Sequence, residues 1–146
     1  MLDRERILAK LDELASYLDE LNDIAPSSFE AFRQTEKKRA CERLLQIAIE
    51  AVIDVSGLIV SGLRLGLPAD EDDVFRKLLD HDIFSEDLIQ TLRSMRGFRN
   101  ILVHEYGGVD DQITFEMLRT RRTDFERFQA EVRALLRQQQ NADESS

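Results

Sequence analysis

In 146 residues the chain has one cysteine, two histidines, two prolines and no tryptophan. The lone thiol, Cys41, cannot form an intrachain disulfide, and with only His81 and His104 to accompany it no metal site is expected. No unbroken apolar run approaches the roughly 20 residues that cross a bilayer, and the mixed acidic start from Met1 to Lys10 is unlike a signal peptide. A cytoplasmic protein with no membrane partner is expected. Positive charge is also short: 20 Lys and Arg face 29 Asp and Glu, for a net charge of −9. That balance argues against a generally sticky nucleic-acid binder, because phosphate contacts need clustered cations. Strand alternation and internal repeats are missing too.

What is present fits one folded unit over residues 1–146, with 42% hydrophobic and 34% charged residues. Ile7, Leu11, Leu14, Leu18 and Leu21 step by four and three, marking one apolar stripe on a helix from about Leu2 to Asp23. Pro26 breaks it, and Ser27 with Glu30 reads as a capping box opening a second helix from about Ser28 to Ser61. That helix is nearly all apolar from Leu44 to Val60 and should be the spine of the fold. Gly62, Gly66 and Pro68 supply its stop, and Asp70 to Asp73 place negative charge at the start of a short third helix ending near Asp80. Ser85 is the N-cap expected for a fourth helix, which Gly107 and Gly108 end. A fifth begins near Asp110 or Asp111, with Leu118, Phe125, Phe128, Val132 and Leu135 facing the core, and a polar tail from about Gln138 is expected to be disordered. The fold class is all-α: an up-and-down bundle of four main helices plus a short one.

Charge is unevenly spread. Residues 1–30 hold three basic and eight acidic side chains, whereas from Thr91 to Tyr106 Arg93, Arg96 and Arg99 face a single acid, Glu105. A local basic spot is expected there, beside His104. A histidine can take or give a proton near neutral pH, and an arginine can hold a phosphate and stabilise charge developing at phosphorus, which are the needs of metal-free RNA cleavage. At about 100° per residue, Arg96, Asn100 and His104 share a helix face, whereas Arg99 lies about 140° from His104. Either the long arginine reaches a phosphate in a groove, or a second copy completes the site. Residue chemistry alone equally allows helix-end and solvated-face roles for these side chains. Asn100 could orient the phosphate or His104, or serve only as a polar residue near a helix end, and Arg96 could bind phosphate or simply be solvated. Glu50 and Asp54 lie one turn apart in the apolar stretch of the second helix and need partners there. One of them could bond Arg96, Arg99 or His104, or the two could belong to a structural ion pair.

The string Arg99-Asn100-Ile101-Leu102-Val103-His104-Glu105-Tyr106 resembles the R-x4-H-x-Y pattern of HepT-like HEPN proteins. The stretch from Glu42 to Asp54 and the order of helices resemble the same family. The resemblance implies a HEPN bundle and a ribonuclease toxin that needs no metal or cofactor. It also implies a homodimer whose two motifs face each other, with RNA as substrate and tRNA favoured. Arg99 and His104 carry over as catalytic. It further implies an MntA-type nucleotidyltransferase antitoxin that silences the toxin by AMPylation of Tyr106; each AMP would add a bulky anion that blocks RNA phosphates and competes for Arg99. Excess apolar surface on the second and fourth helices also points to a dimer. Two other readings stand beside this one: a non-catalytic nucleotide- or nucleotidyltransferase-binding subunit, and a purely structural helical dimer.

Overall fold

The computed structural model describes residues 1–104 and 110–145, apart from the side chain of Ser145, and these contain six helices and no strand. They are α1 (Arg4–Ile24), α2 (Phe29–Phe32), α3 (Thr35–Gly62), α4 (Glu71–Asp80), α5 (Glu86–His104) and α6 (Asp111–Ser145). The expected all-α bundle is present, with α4 as its short member and α2 as one further turn.

The stripe read on the first helix packs as expected: Ile7, Leu11, Leu14 and Leu21 of α1 are buried, against α3. Asp3 caps its start by accepting the Arg6 N–H at 3.2 Å. The long second helix of the sequence reading is not continuous. Ser28, not Ser27, is the cap, accepting the Ala31 N–H at 3.1 Å, and Gln34 turns extended (φ −62°, ψ 125°) before α3 begins. The break sets the α2 turn against α6. Phe29 and Phe32 both reach Phe115, each at 5.7 Å between ring centroids, and Phe32 is fully buried.

α3 is the spine, touching each of the other five helices. It meets the length and composition of a membrane-crossing helix after all, with a mean hydropathy of 1.8 over 18 residues, because small residues extend the apolar run. Over half of that stretch is buried inside the fold, as in the central helix of a bundle. Its end is a Schellman-type turn, with the Leu65 N–H donating to the Val60 carbonyl at 3.0 Å. The left-handed position there is held by Arg64 (φ 55°), not by a glycine. Gly62 has a different use: a Cβ would meet Leu2 Cα and the Met1 carbonyl oxygen at 3.0 Å, where the Met1 amino group donates to the Gly62 carbonyl at 2.6 Å.

α4 starts with a reciprocal cap. Asp70 accepts the Asp73 N–H at 2.8 Å and Asp73 accepts the Ala69 N–H at 2.9 Å. That N–H, helped by the Lys77 ammonium 3.5 Å away, holds the Asp73 carboxyl below its ordinary value. Ser85 caps α5 as read, accepting the Leu88 N–H at 3.2 Å; Gly107 and Gly108, read as its stop, lie outside the described residues. α6 buries Phe125, Phe128, Val132 and Leu135, with Leu118 half-buried. The polar segment from Gln138, expected to be disordered, is helical through Ser145.

Candidate active site

Arg93, Arg96 and Arg99 are spaced by three along α5, so they form one row on its surface. The row meets the first turn of α4 and the middle of α3. Arg93 Nε donates to Asp72 Oδ1 at 3.0 Å, and Arg96 Nε donates to Glu71 Oε1 at 3.0 Å. Arg99 Nη2 donates to that same Glu71 oxygen. Its Nη1 lies 3.6 Å from Glu50 Oε2, and its Nε donates to Asn100 Oδ1 at 3.0 Å. Each nitrogen of the Arg99 guanidinium therefore has a partner, and only 12% of the side chain is exposed.

The basic spot expected on α5 is thus neutralised within the fold, three guanidinium groups being matched by Glu50, Glu71 and Asp72. Glu71 and Asp72 were missed as site neighbours because they lie 21 to 28 residues upstream of the arginines they meet. The acidic opening of α4 was visible, but only as a helix start; a tertiary contact between helix surfaces leaves no local sign.

Glu50 forms an ion pair with Arg99, an arrangement that fits both of the roles open to it. Asp54 does not join it. Its side chain is 55% exposed and turns to Lys10 of α1, 3.5 Å away. A charged residue in an apolar stretch need only sit on the uncovered side of its helix, and position 54 does. Along α3, Glu42, Gln46 and Glu50 recur every four residues on one side. Oε1 of Glu42 is buried without a hydrogen-bond partner among the described residues.

His104 is the last residue of α5 and is exposed. No hydrogen bond or ion pair joins it to Arg99 among the described residues, in keeping with the wide angle between the two positions. Asn100 accepts from Arg99, a partner the sequence had not singled out for it. Tyr106 lies outside the described residues. No group of three His, Cys, Asp or Glu side chains suited to a metal ion occurs among the described residues.

Among the described residues, six helices pack as one bundle, with a half-buried Arg-Asn pair and, four residues on, an exposed histidine that ends the same helix. A family model described as "Ribonuclease HepT-like" matches residues 14–132, and the chain belongs to that family of ribonucleases. It is 31% identical over 110 residues to the tRNA nuclease HepT of Aphanizomenon flos-aquae, covering 75% of each chain. It is 33% identical over 84 residues to the mRNA nuclease HepT of Shewanella oneidensis, covering 58% of this chain and 63% of that one. Among solved structures, the tri-AMPylated HEPN toxin of Shewanella oneidensis in complex with MNT antitoxin superimposes with a TM-score of 0.83 at 25% identity, covering 92% of this chain and 99% of that one. The cytosolic protein YutE of Bacillus subtilis shares the fold, with a TM-score of 0.81 at 20% identity over 94% of this chain and 93% of that one.

Proposed function

We propose that the chain is the toxin of a HepT/MntA-type toxin-antitoxin pair, a cytoplasmic, metal-independent ribonuclease with Arg99 and His104 as catalytic residues. The observation that carries this reading is the contrast between the two side chains. Arg99 is held by two hydrogen bonds and an ion pair, whereas His104 stands exposed at a helix end. A fixed cation suits transition-state charge stabilisation, and an accessible imidazole suits proton transfer at a ribose 2′-hydroxyl or a leaving oxygen. DNA lacks that hydroxyl and should not be cut.

The site is completed by a second copy. Arg99 and His104 diverge on one helix, and the motif helix carries Ile101 at 41% exposure, with Ile113 at 51% on the helix that follows. Apolar side chains of that size beside a polar site are suited to cover by a partner chain. The motif makes Tyr106 the residue a nucleotidyltransferase antitoxin would modify, a reading supported by likeness to an AMPylated toxin solved with its MNT antitoxin, and likeness to the Aphanizomenon nuclease favours tRNA as substrate.

Purified protein should cut RNA in the presence of a chelator, and Arg99→Ala and His104→Ala should each lower the rate about 100-fold or more while the helical content stays intact. Cleavage retained in either variant overturns the assignment. Mass spectrometry after co-production with the antitoxin should find AMP on Tyr106, and an unmodified Tyr106 rejects that mode of control.

A further inference from the structure

Arg96 and Arg99 lie one helical turn apart and donate to a single atom, Oε1 of Glu71. One oxygen accepting from two guanidinium groups is the arrangement that a non-bridging phosphate oxygen takes between paired arginines. The holder of that oxygen is loosely held itself. Glu71 sits in the first turn of α4, its side chain is 38% exposed, and it is not one of the buried core residues. Arg99 is the opposite: 12% exposed and gripped independently by Asn100 and Glu50. When Glu71 leaves, Arg99 stays.

From this asymmetry we propose that Glu71 is a resident stand-in for the substrate phosphate, seated between Arg96 and Arg99 and displaced when an RNA phosphate binds. The proposal rests on the reading of Arg99 as part of a ribonuclease site. Physically, two guanidinium groups one turn apart repel, and Glu71 offsets in the free protein the part of that charge that Glu50 does not balance. It thereby keeps the two arginines side by side in the geometry a phosphate needs. The same carboxylate competes with every incoming phosphate. Arg96 becomes a phosphate-binding residue, and Glu71 sets how tightly RNA must bind before it is cut.

The test uses full-length protein carrying Glu71→Gln, which keeps the side chain's shape and removes its charge. KM for RNA should fall about threefold to tenfold, the range expected for removing one partly exposed competing charge. Binding should weaken more steeply with salt, by nearly one added counterion released, and kcat should stay within about twofold. Asp87→Asn, at the other end of α5, which releases only Arg127 of α6, should shift neither constant. A KM that is unchanged or raised, or a lower kcat at constant KM, overturns the proposal in favour of a supporting ion pair. Binding of inorganic tripolyphosphate, measured by calorimetry, separates the two readings if no form of the protein cuts RNA. Tighter binding by Glu71→Gln than by wild type upholds the seat even then, and equal or weaker binding overturns it. Should Glu71→Gln fold poorly, Glu71→Asp, with a shorter reach, is measured in the same way and should shift KM in the same direction.

Discussion

Arg99 and Asn100 are neighbours in sequence and also bond through their side chains, Nε to Oδ1 at 3.0 Å. Adjacent residues on a helix point about 100° apart, so such a bond forms only if the long arginine stem bends around the helix surface. The bend aims the two terminal nitrogens at Glu50 and Glu71 rather than along the helix toward His104. Asn100 thus holds the guanidinium in that bent orientation.

Loss of that bond should be felt in turnover rather than in folding. Asn100→Ala is expected to lower kcat about tenfold with a smaller change in KM, the cost of releasing one charge-assisted hydrogen bond that fixes orientation. Combined with Glu50→Gln it should cost less than the sum of the two single changes, because both act on one side chain. Steady-state kinetics beside a thermal melt would decide it; a shifted melt with unchanged kcat would show a structural role instead.

The end of α3 should be open to improvement. Arg64 is exposed and holds a left-handed conformation that costs an L side chain about 1 kcal/mol, a strain glycine does not feel. Arg64→Gly should therefore raise stability by up to about 1 kcal/mol, less the added freedom of the unfolded chain. Urea unfolding monitored by circular dichroism reads this directly, and a lower midpoint for the variant would count against the strain argument.

Asp73 should contribute to acid sensitivity. Its folded carboxyl lies below the ordinary value of 3.8 because of the Ala69 N–H and Lys77. The folded state therefore gains stability from the ionised form above that value and loses it as pH falls through the depressed one. Asp73→Asn should be less stable than wild type at neutral pH, and the difference should close well below pH 3.8. Paired urea titrations across that range test it; a gap that stays constant with pH would remove Asp73 from the account.

Much of this architecture can be read without coordinates, for a physical reason. Periodic stripes such as Ile7-Leu11-Leu14 report which face is buried, and caps such as Ser85 report where a helix must satisfy its first N–H groups. Both signals are local. The break at Gln34 is not, since it is set by Phe29 and Phe32 meeting Phe115 from the far end of the chain. The same limit hid Glu71 behind its role as a helix start. It also left Glu50 and Asp54 alike in need of partners, although α3 turns the two toward different neighbours. For the motif itself, residue types allowed the chemistry and the family resemblance pointed to it, while the acidic partners of Arg99 came only with the packing of α3 and α4.

Cys41 is fully buried in α3, and burial pushes its thiol above the ordinary value, away from the reactive thiolate. The folded chain therefore has a single, silent sulfhydryl that becomes available when the spine helix opens. Uptake of a thiol reagent would time the opening of the bundle without any introduced label. Conversely, a cysteine engineered at an exposed position such as Leu67 could take a spectroscopic probe in the native state while the resident thiol stays unmodified.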